Sequence, residues 1–155
     1  MHKITIGYLP IADWAPGPLK WTFPEWYYDT DDPAYDPKFA VEVAKNAPDE
    51  VVLLPSANYV LKIEYPLKKP CKIKFNSGSS GMTRLALAEY ICVEYRRIYA
   101  EEDATITAIV GQIPGMFNRS ATTGKYGIWG HDIGDLMLHT AYVAPDGVIT
   151  LGVDS

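Results

Sequence analysis

Between Asn58 and Phe75 the chain alternates with a period of two, and this pattern narrows its fold more than any other. Tyr59, Leu61, Ile63 and Tyr65 fall on one side, with Asn58, Val60, Lys62 and Glu64 on the other. After the 66–70 connection, Cys71, Ile73 and Phe75 alternate with Lys72 and Lys74. Successive side chains of a strand point to opposite faces, so the segment reads as a hairpin with one buried and one charged face. A sheet buried on one side needs a single apolar layer over it. The next residues supply one: Leu85, Ala88, Ile91, Cys92, Tyr95, Ile98 and Tyr99 recur at helical spacing, which predicts a helix over 82–99 with candidate caps in 76–81. Arg96 and Arg97 then belong to its last turn, and Glu101, Glu102 and Asp103 lie beyond it, as the helix dipole prefers.

A first strand is expected over 3–8, a short strand over 50–54, a weak helix over 37–45, and a second hairpin over 135–143 and 148–153. The turn of that hairpin, Ala144-Pro145-Asp146-Gly147, combines a proline that presets φ with a glycine that tolerates positive φ. Its first strand is apolar on both faces, which places it centrally. Together these elements predict a single α+β domain over residues 1–155, an antiparallel sheet of about five to six strands with one main helix packed on one face. The body spans 50–155.

The segment 8–37 differs from the rest. It holds six of the 12 prolines and three of the four tryptophans. Proline at this density excludes long helices and central strands, yet the many rings argue for order rather than a disordered tail. The reading is an irregular aromatic wrap, with Trp14, Trp21, Trp26, Tyr27 and Tyr28 as candidate interface residues. Acidic Glu25, Asp29, Asp31, Asp32 and Asp36 are interleaved there, whereas Lys62, Lys68, Lys69, Lys72 and Lys74 cluster on and beside the first hairpin. Opposite patches of this kind suit an acidic partner or head-to-tail self-association.

A net charge of −5 argues against a general binder of nucleic acid or of an anionic membrane surface, since both need a basic field. Two cysteines cannot build a disulfide scaffold or a four-thiolate zinc site. With no apolar stretch of signal-peptide or membrane-spanning length, the expectation is a cytoplasmic protein. Cys71 and Cys92 are both expected on buried faces, where a thiol is inert. Ser77–Gly81 superficially resembles a phosphate loop but lacks the Gly-x-x-x-x-Gly-Lys pattern, and helix capping is its simpler role.

Candidate chemistry concentrates in the glycine-rich stretch 111–135, too long a connection to be a simple turn. His131, Asp132 and His139 are the candidate catalytic residues, with Asp135 nearby, because imidazole and carboxylate serve acid–base work or a hard metal. Asn118, Arg119, Tyr126 and Trp129 are candidate ligand-binding residues. The histidine spacing matches neither a zincin helix nor a facial iron triad, so no metal and no cofactor is assigned.

Tyr65-Pro66-Leu67-Lys68-Lys69-Pro70 resembles the Tyr-Pro-x-x-Pro-Pro turn of ubiquitin-conjugating folds, over about a dozen residues and without that family's His-Pro-Asn and nucleophilic cysteine. Ile113–Arg119, Tyr126–Asp132 and Val148–Gly152 together resemble a group of small uncharacterised proteins that share the Ile-Pro-Gly-Met-x-Asn-Arg and Tyr-Gly-Ile-Trp-Gly-His-Asp motifs. That resemblance implies one contiguous domain and no particular activity. Three functions follow from the residues. The first is a non-enzymatic protein-interaction or self-assembling protein; the second is a small hydrolase or metal-dependent enzyme centred on His131, Asp132 and His139. The third is a module that binds a small anionic or sugar ligand through loop 111–135.

Overall fold

The computed structural model describes residues 1–13, 50–107, 109–112 and 120–155. Of the aromatic wrap expected over 8–37, residues 14–37 with Trp14, Trp21, Trp26, Tyr27 and Tyr28 lie outside the described residues, as do the expected helix at 37–45 and Asn118 and Arg119. Residues 8–13 complete the first strand to Pro10 and form a 3-10 turn at Ile11–Asp13.

Among the described residues nine strands and one long helix follow in the order β1 (His2–Pro10), β2 (Val51–Leu53), β3 (Asn58–Ile63), β4 (Cys71–Asn76), β5 (Met82–Thr83), α1 (Arg84–Thr105), β6 (Ile109–Gln112), β7 (Ser120–Thr122), β8 (Met137–Val143) and β9 (Val148–Asp154). The principal sheet has five strands in the order β1-β8-β9-β3-β4, while β2 pairs with β5 and β6 with β7 in two small ribbons. Both predicted hairpins form: β3 and β4 pair from Asn58 opposite Asn76 to Ile63 opposite Cys71, and β8 and β9 pair around the 144–147 turn. Gly147 has φ +84, and its amide donates to Ala144 O at 2.9 Å. As expected, β8 lies inside the sheet, between β1 and β9.

The sheet is mixed, which corrects the expectation of a purely antiparallel one. β9 runs parallel to β3, with Val60 opposite Val148 and Leu61 opposite Ile149. Alternation of side chains states which face of a strand is buried and carries nothing about the direction of its neighbour.

The core lies between this sheet and α1. Ile4, Ile6, Leu61, Ile63, Leu138, Ala141 and Ile149 from the strands share one hydrophobic cluster with Leu87, Ala88, Ile91, Cys92, Tyr95 and Ile98 of the helix. Fully burying each such Leu or Ile contributes about 1.5–3 kcal/mol. Lys72 and Lys74 project from the other face into solvent.

Both helix ends differ from the expectation. Thr83 caps the start, its Oγ1 accepting from Ala86 N at 3.2 Å. Ser77 instead ties down the 54–57 turn through its hydroxyl. At the other end α1 continues to Thr105, so Glu101, Glu102 and Asp103 sit inside the helix and Arg96 and Arg97 precede its last turn. Acidic groups at the carbonyl end of a helix each cost about 0.3–1 kcal/mol. Their compensation lies in the loop that α1 organises.

Candidate functional site

The stretch 120–135 is built on Glu102, a residue to which the sequence reading gave no role. Its side chain is 1 % exposed and faces the segment 122–127. Oε1 accepts from Gly124 N at 2.7 Å and from Thr122 Oγ1 at 2.8 Å, and Oε2 accepts from Tyr126 N at 2.8 Å. Gly127 N reaches both oxygens at 3.1 Å. Burial by itself raises the pKa of this carboxyl; the amide and hydroxyl donors outweigh it, and the net shift is downward. Charge-assisted bonds of this kind exceed the cost of an acid near the helix end, which explains why α1 does not stop at Tyr99. The sequence did contain a signal: Glu102 continues the buried stripe Ile91, Tyr95, Ile98 at spacings of four, three and four, and an acid on an apolar stripe demands donors.

Glycine is required where the chain wraps around this carboxylate. A Cβ on Gly124 would stand 2.6 Å from Glu102 Cδ, and Gly127 has φ +68. The next residues are held by backbone pairing on both sides. Thr122 N donates to Ile128 O at 3.0 Å and Gly130 N to Ser120 O at 3.1 Å on the β7 side. On the other side, Trp129 N donates to Pro66 O, Lys68 N to Gly127 O and Lys69 N to Tyr126 O, at 2.8–3.0 Å. The Tyr-Gly-Ile-Trp-Gly motif is thus an extended strip laid between β7 and the 66–69 turn.

Tyr126, a candidate ligand-binding residue, is engaged within the fold. It is buried, and its hydroxyl donates to Glu101 Oε2. Glu101 also accepts from Arg97 Nη1 at 2.7 Å and Lys125 Nζ at 3.0 Å. Tyr126, Lys125 and Arg97 together hold the Glu101 carboxyl down to about 2. Arg97 completes the cluster through Glu94 at 2.6 Å.

Beyond Trp129 the groups are less committed. Trp129 is 39 % exposed and Tyr65 is 38 % exposed. Their rings flank His131, with centroids at 6.3 Å and 5.6 Å from the imidazole. His131 O accepts from Tyr99 Oη at 2.8 Å, Nε2 stands 3.5 Å from Ser155 Oγ, and Nδ1 is buried without a hydrogen bond, 3.9 Å from Asp135 Oδ2. The Asp135 carboxyl closes a single 3-10 turn by accepting from Asp132 N at 3.1 Å. Beside the imidazole lies a cavity of about 140 Å³, bordered by Tyr99, Asp103, Ser120, Gly130, His131 and Asp132. Ser120, Asp103 and Asp132 are exposed there, and among the described residues the carboxylates that line it, Glu102 included, give it an acidic border.

His139 lies within β8. It is the extra residue where the β8–β9 register shifts between Leu138 and Thr140. Its Nδ1 lies 2.8 Å from Thr140 Oγ1 and its Nε2 3.4 Å from Asp154 Oδ1. The ring lies over Gly152, where a Cβ would come within 2.4 Å of Cε1. Thus the structure groups His131, Asp132, Trp129 and Tyr65, and gives His139 a separate set of neighbours. Among the described residues no three His, Cys, Asp or Glu side chains converge as metal ligands would. Cys92 is buried, and that burial pushes its thiol up to about 12; Cys71 is half-buried.

Asp135, His131 and Ser155 follow the order of an acid–imidazole–hydroxyl relay, but 3.9 Å and 3.5 Å exceed the roughly 2.6–3.2 Å of a working nucleophile–base pair. The adjacent amides of Trp129 and Gly130 already donate to carbonyls and are not free to meet an oxyanion.

No family model matches the chain, and comparisons with curated proteins and with solved structures return no match. No helix among the described residues is long and apolar enough to cross a membrane.

Proposed function

We propose that the chain is a binding protein that takes a small neutral polyhydroxylated ligand, one sugar ring, at the cavity beside His131. The observation that carries this reading is a polar cavity bordered by Asp103, Asp132, Ser120 and His131, with the exposed Trp129 indole 6.3 Å from the His131 ring between centroids. A sugar ring offers an apolar C–H face to an aromatic side chain and hydroxyl donors to carboxylates; Tyr99 and His131 border the cavity beside Asp103 and Asp132, and Trp129 packs against His131. Among the described residues the lining is acidic, which favours a neutral ligand over an anionic one. Size agrees: about 140 Å³ is well below the roughly 300–1,000 Å³ of pockets that enclose drug-sized molecules, which fits one ring better than an extended cofactor.

Saturation-transfer NMR with a panel of hexoses, pentoses and N-acetylhexosamines tests it. At about 10 mM sugar, a Kd near 1 mM (about −4 kcal/mol) gives a clear signal. The expected result is transfer to at least one sugar, lost in Trp129→Ala while thermal unfolding is unchanged. Silence across the whole panel, or transfer that survives Trp129→Ala, removes the reading.

A further inference from the structure

The last strand of the principal sheet, β4, pairs with β3 on one side only among the described residues. The stretch 126–129, which pairs with the preceding turn at 66–69, does not continue alongside it. Instead the far side of β4 opens onto a groove of about 580 Å³. All residues from Lys69 to Lys74 border that groove, although alternate side chains of a strand face opposite ways. Only a groove that follows the strand's edge meets both sets, so the groove lies along the row where an edge strand leaves backbone donors and acceptors unpaired. Arg97, Lys125 and Tyr126 form the opposite wall.

The charge of this groove is uneven. Arg97 and Lys125 are held by Glu94 and Glu101, and neighbouring Lys62 by Glu64 at 2.6 Å. Lys69, Lys72 and Lys74 are exposed and have no acidic partner among the described residues. Lys72 stands directly opposite Lys62 in the β3–β4 register, a like-charge pairing that costs a few tenths of a kcal/mol or more. An excess of positive charge along a strand edge that no described strand pairs, on a protein of net charge −5, is a local complement to an acidic chain in extended conformation.

We infer that β4 is a docking edge for an extended acidic segment of a partner protein, which adds to the sheet as a sixth strand and sets its carboxylates against Lys69, Lys72 and Lys74. Main-chain pairing supplies the alignment, and the lysines supply selectivity and a fast, salt-sensitive association. This surface is separate from the His131 cavity, and its test is independent of sugar binding.

The probe is a fluorescein-labelled octapeptide of alternating Glu and Val, titrated by anisotropy at low and high salt. A Lys–Val peptide, a Glu–Pro peptide of equal charge that cannot pair, and a single-stranded oligonucleotide serve as controls. The expected outcome is saturable binding of the Glu–Val peptide that weakens at least tenfold in Lys69→Gln/Lys72→Gln/Lys74→Gln, with slowed amide exchange at 71–76 on binding. Equal binding of the Glu–Pro peptide overturns strand addition. Tighter binding of the oligonucleotide shifts the surface to phosphate and overturns the acidic-peptide assignment. Self-association through the same lysines, read by light scattering of the parent and the triple variant, overturns it in favour of a second copy. Absence of any peptide binding leaves the lysines as guards against edge-to-edge aggregation and ends the proposal.

Discussion

The two halves of the glycine-rich segment, 120–128 and 129–135, look alike in sequence and behave oppositely in the structure. In the first half nearly every polar group described is engaged: Glu102 gathers three amides and a hydroxyl, and Tyr126 is fixed on Glu101. In the second half Trp129 is exposed, Nδ1 of His131 lacks a hydrogen bond, and Asp132 faces solvent at a cavity. Glycine and polar residues therefore mark two different jobs. In one, glycine admits backbone to a buried charge; in the other, a rigid strip presents side chains. Saturation of hydrogen bonds separates the two, because a group already paired inside the fold has little left to offer a ligand.

Substitutions should divide along the same line. The largest expected effect is Glu102→Ala, which strands the Gly124, Tyr126 and Gly127 amides; at about 1–3 kcal/mol for each buried group left unsatisfied, urea unfolding should show a loss of about 3–5 kcal/mol. A loss under about 1 kcal/mol would dissolve the distinction between the halves. Gly124→Ala comes next: its Cβ meets Glu102 Cδ at 2.6 Å, and the resulting strain should cost about 2–3 kcal/mol by the same measurement.

Acid sensitivity sharpens the comparison. Glu101 and Glu102 both have folded-state pKa values below those of unfolded glutamate, near about 4.3. Their stabilisation is therefore complete above the unfolded value and is lost as pH falls from there, through about 2 for Glu101. Urea midpoints should drop between about pH 5 and the acid limit, and more shallowly in Glu102→Gln; an equally steep acid limb in that variant would falsify the anchoring role. Tyr126→Phe, which removes the hydroxyl that donates to Glu101, should cost about 1–2 kcal/mol. Smallest in stability is Trp129→Ala. With its side chain 39 % exposed, it should shift unfolding by less than about 1 kcal/mol and be felt in ligand binding alone.

Periodicity made much of the framework legible. Leu61 and Ile63 against Lys62 placed β3, Ile73 and Phe75 against Lys72 and Lys74 placed β4, and the stripe from Ala88 to Ile98 placed the core face of α1. Two features escaped that kind of reading. Helix length was underestimated because Glu101–Asp103 look like a stop signal to the dipole, and only donors that arrive some 20 residues later reverse the balance. His131 and His139 look like a pair because they are near in sequence, yet a short 3-10 turn and the start of β8 intervene.

By itself the sequence determined which residues face inward, where the two hairpins turn, and that one helix must cover one sheet. These are local consequences of side-chain period and turn chemistry, and they hold whatever the neighbours are. Long-range contacts decided that β9 enters parallel to β3, that β4 is a basic edge among the described residues, that Glu102 anchors the loop, and that His131 borders the cavity beside it. Each of those depends on which distant groups meet, a matter of long-range pairing and hydrogen-bond satisfaction that no local pattern encodes.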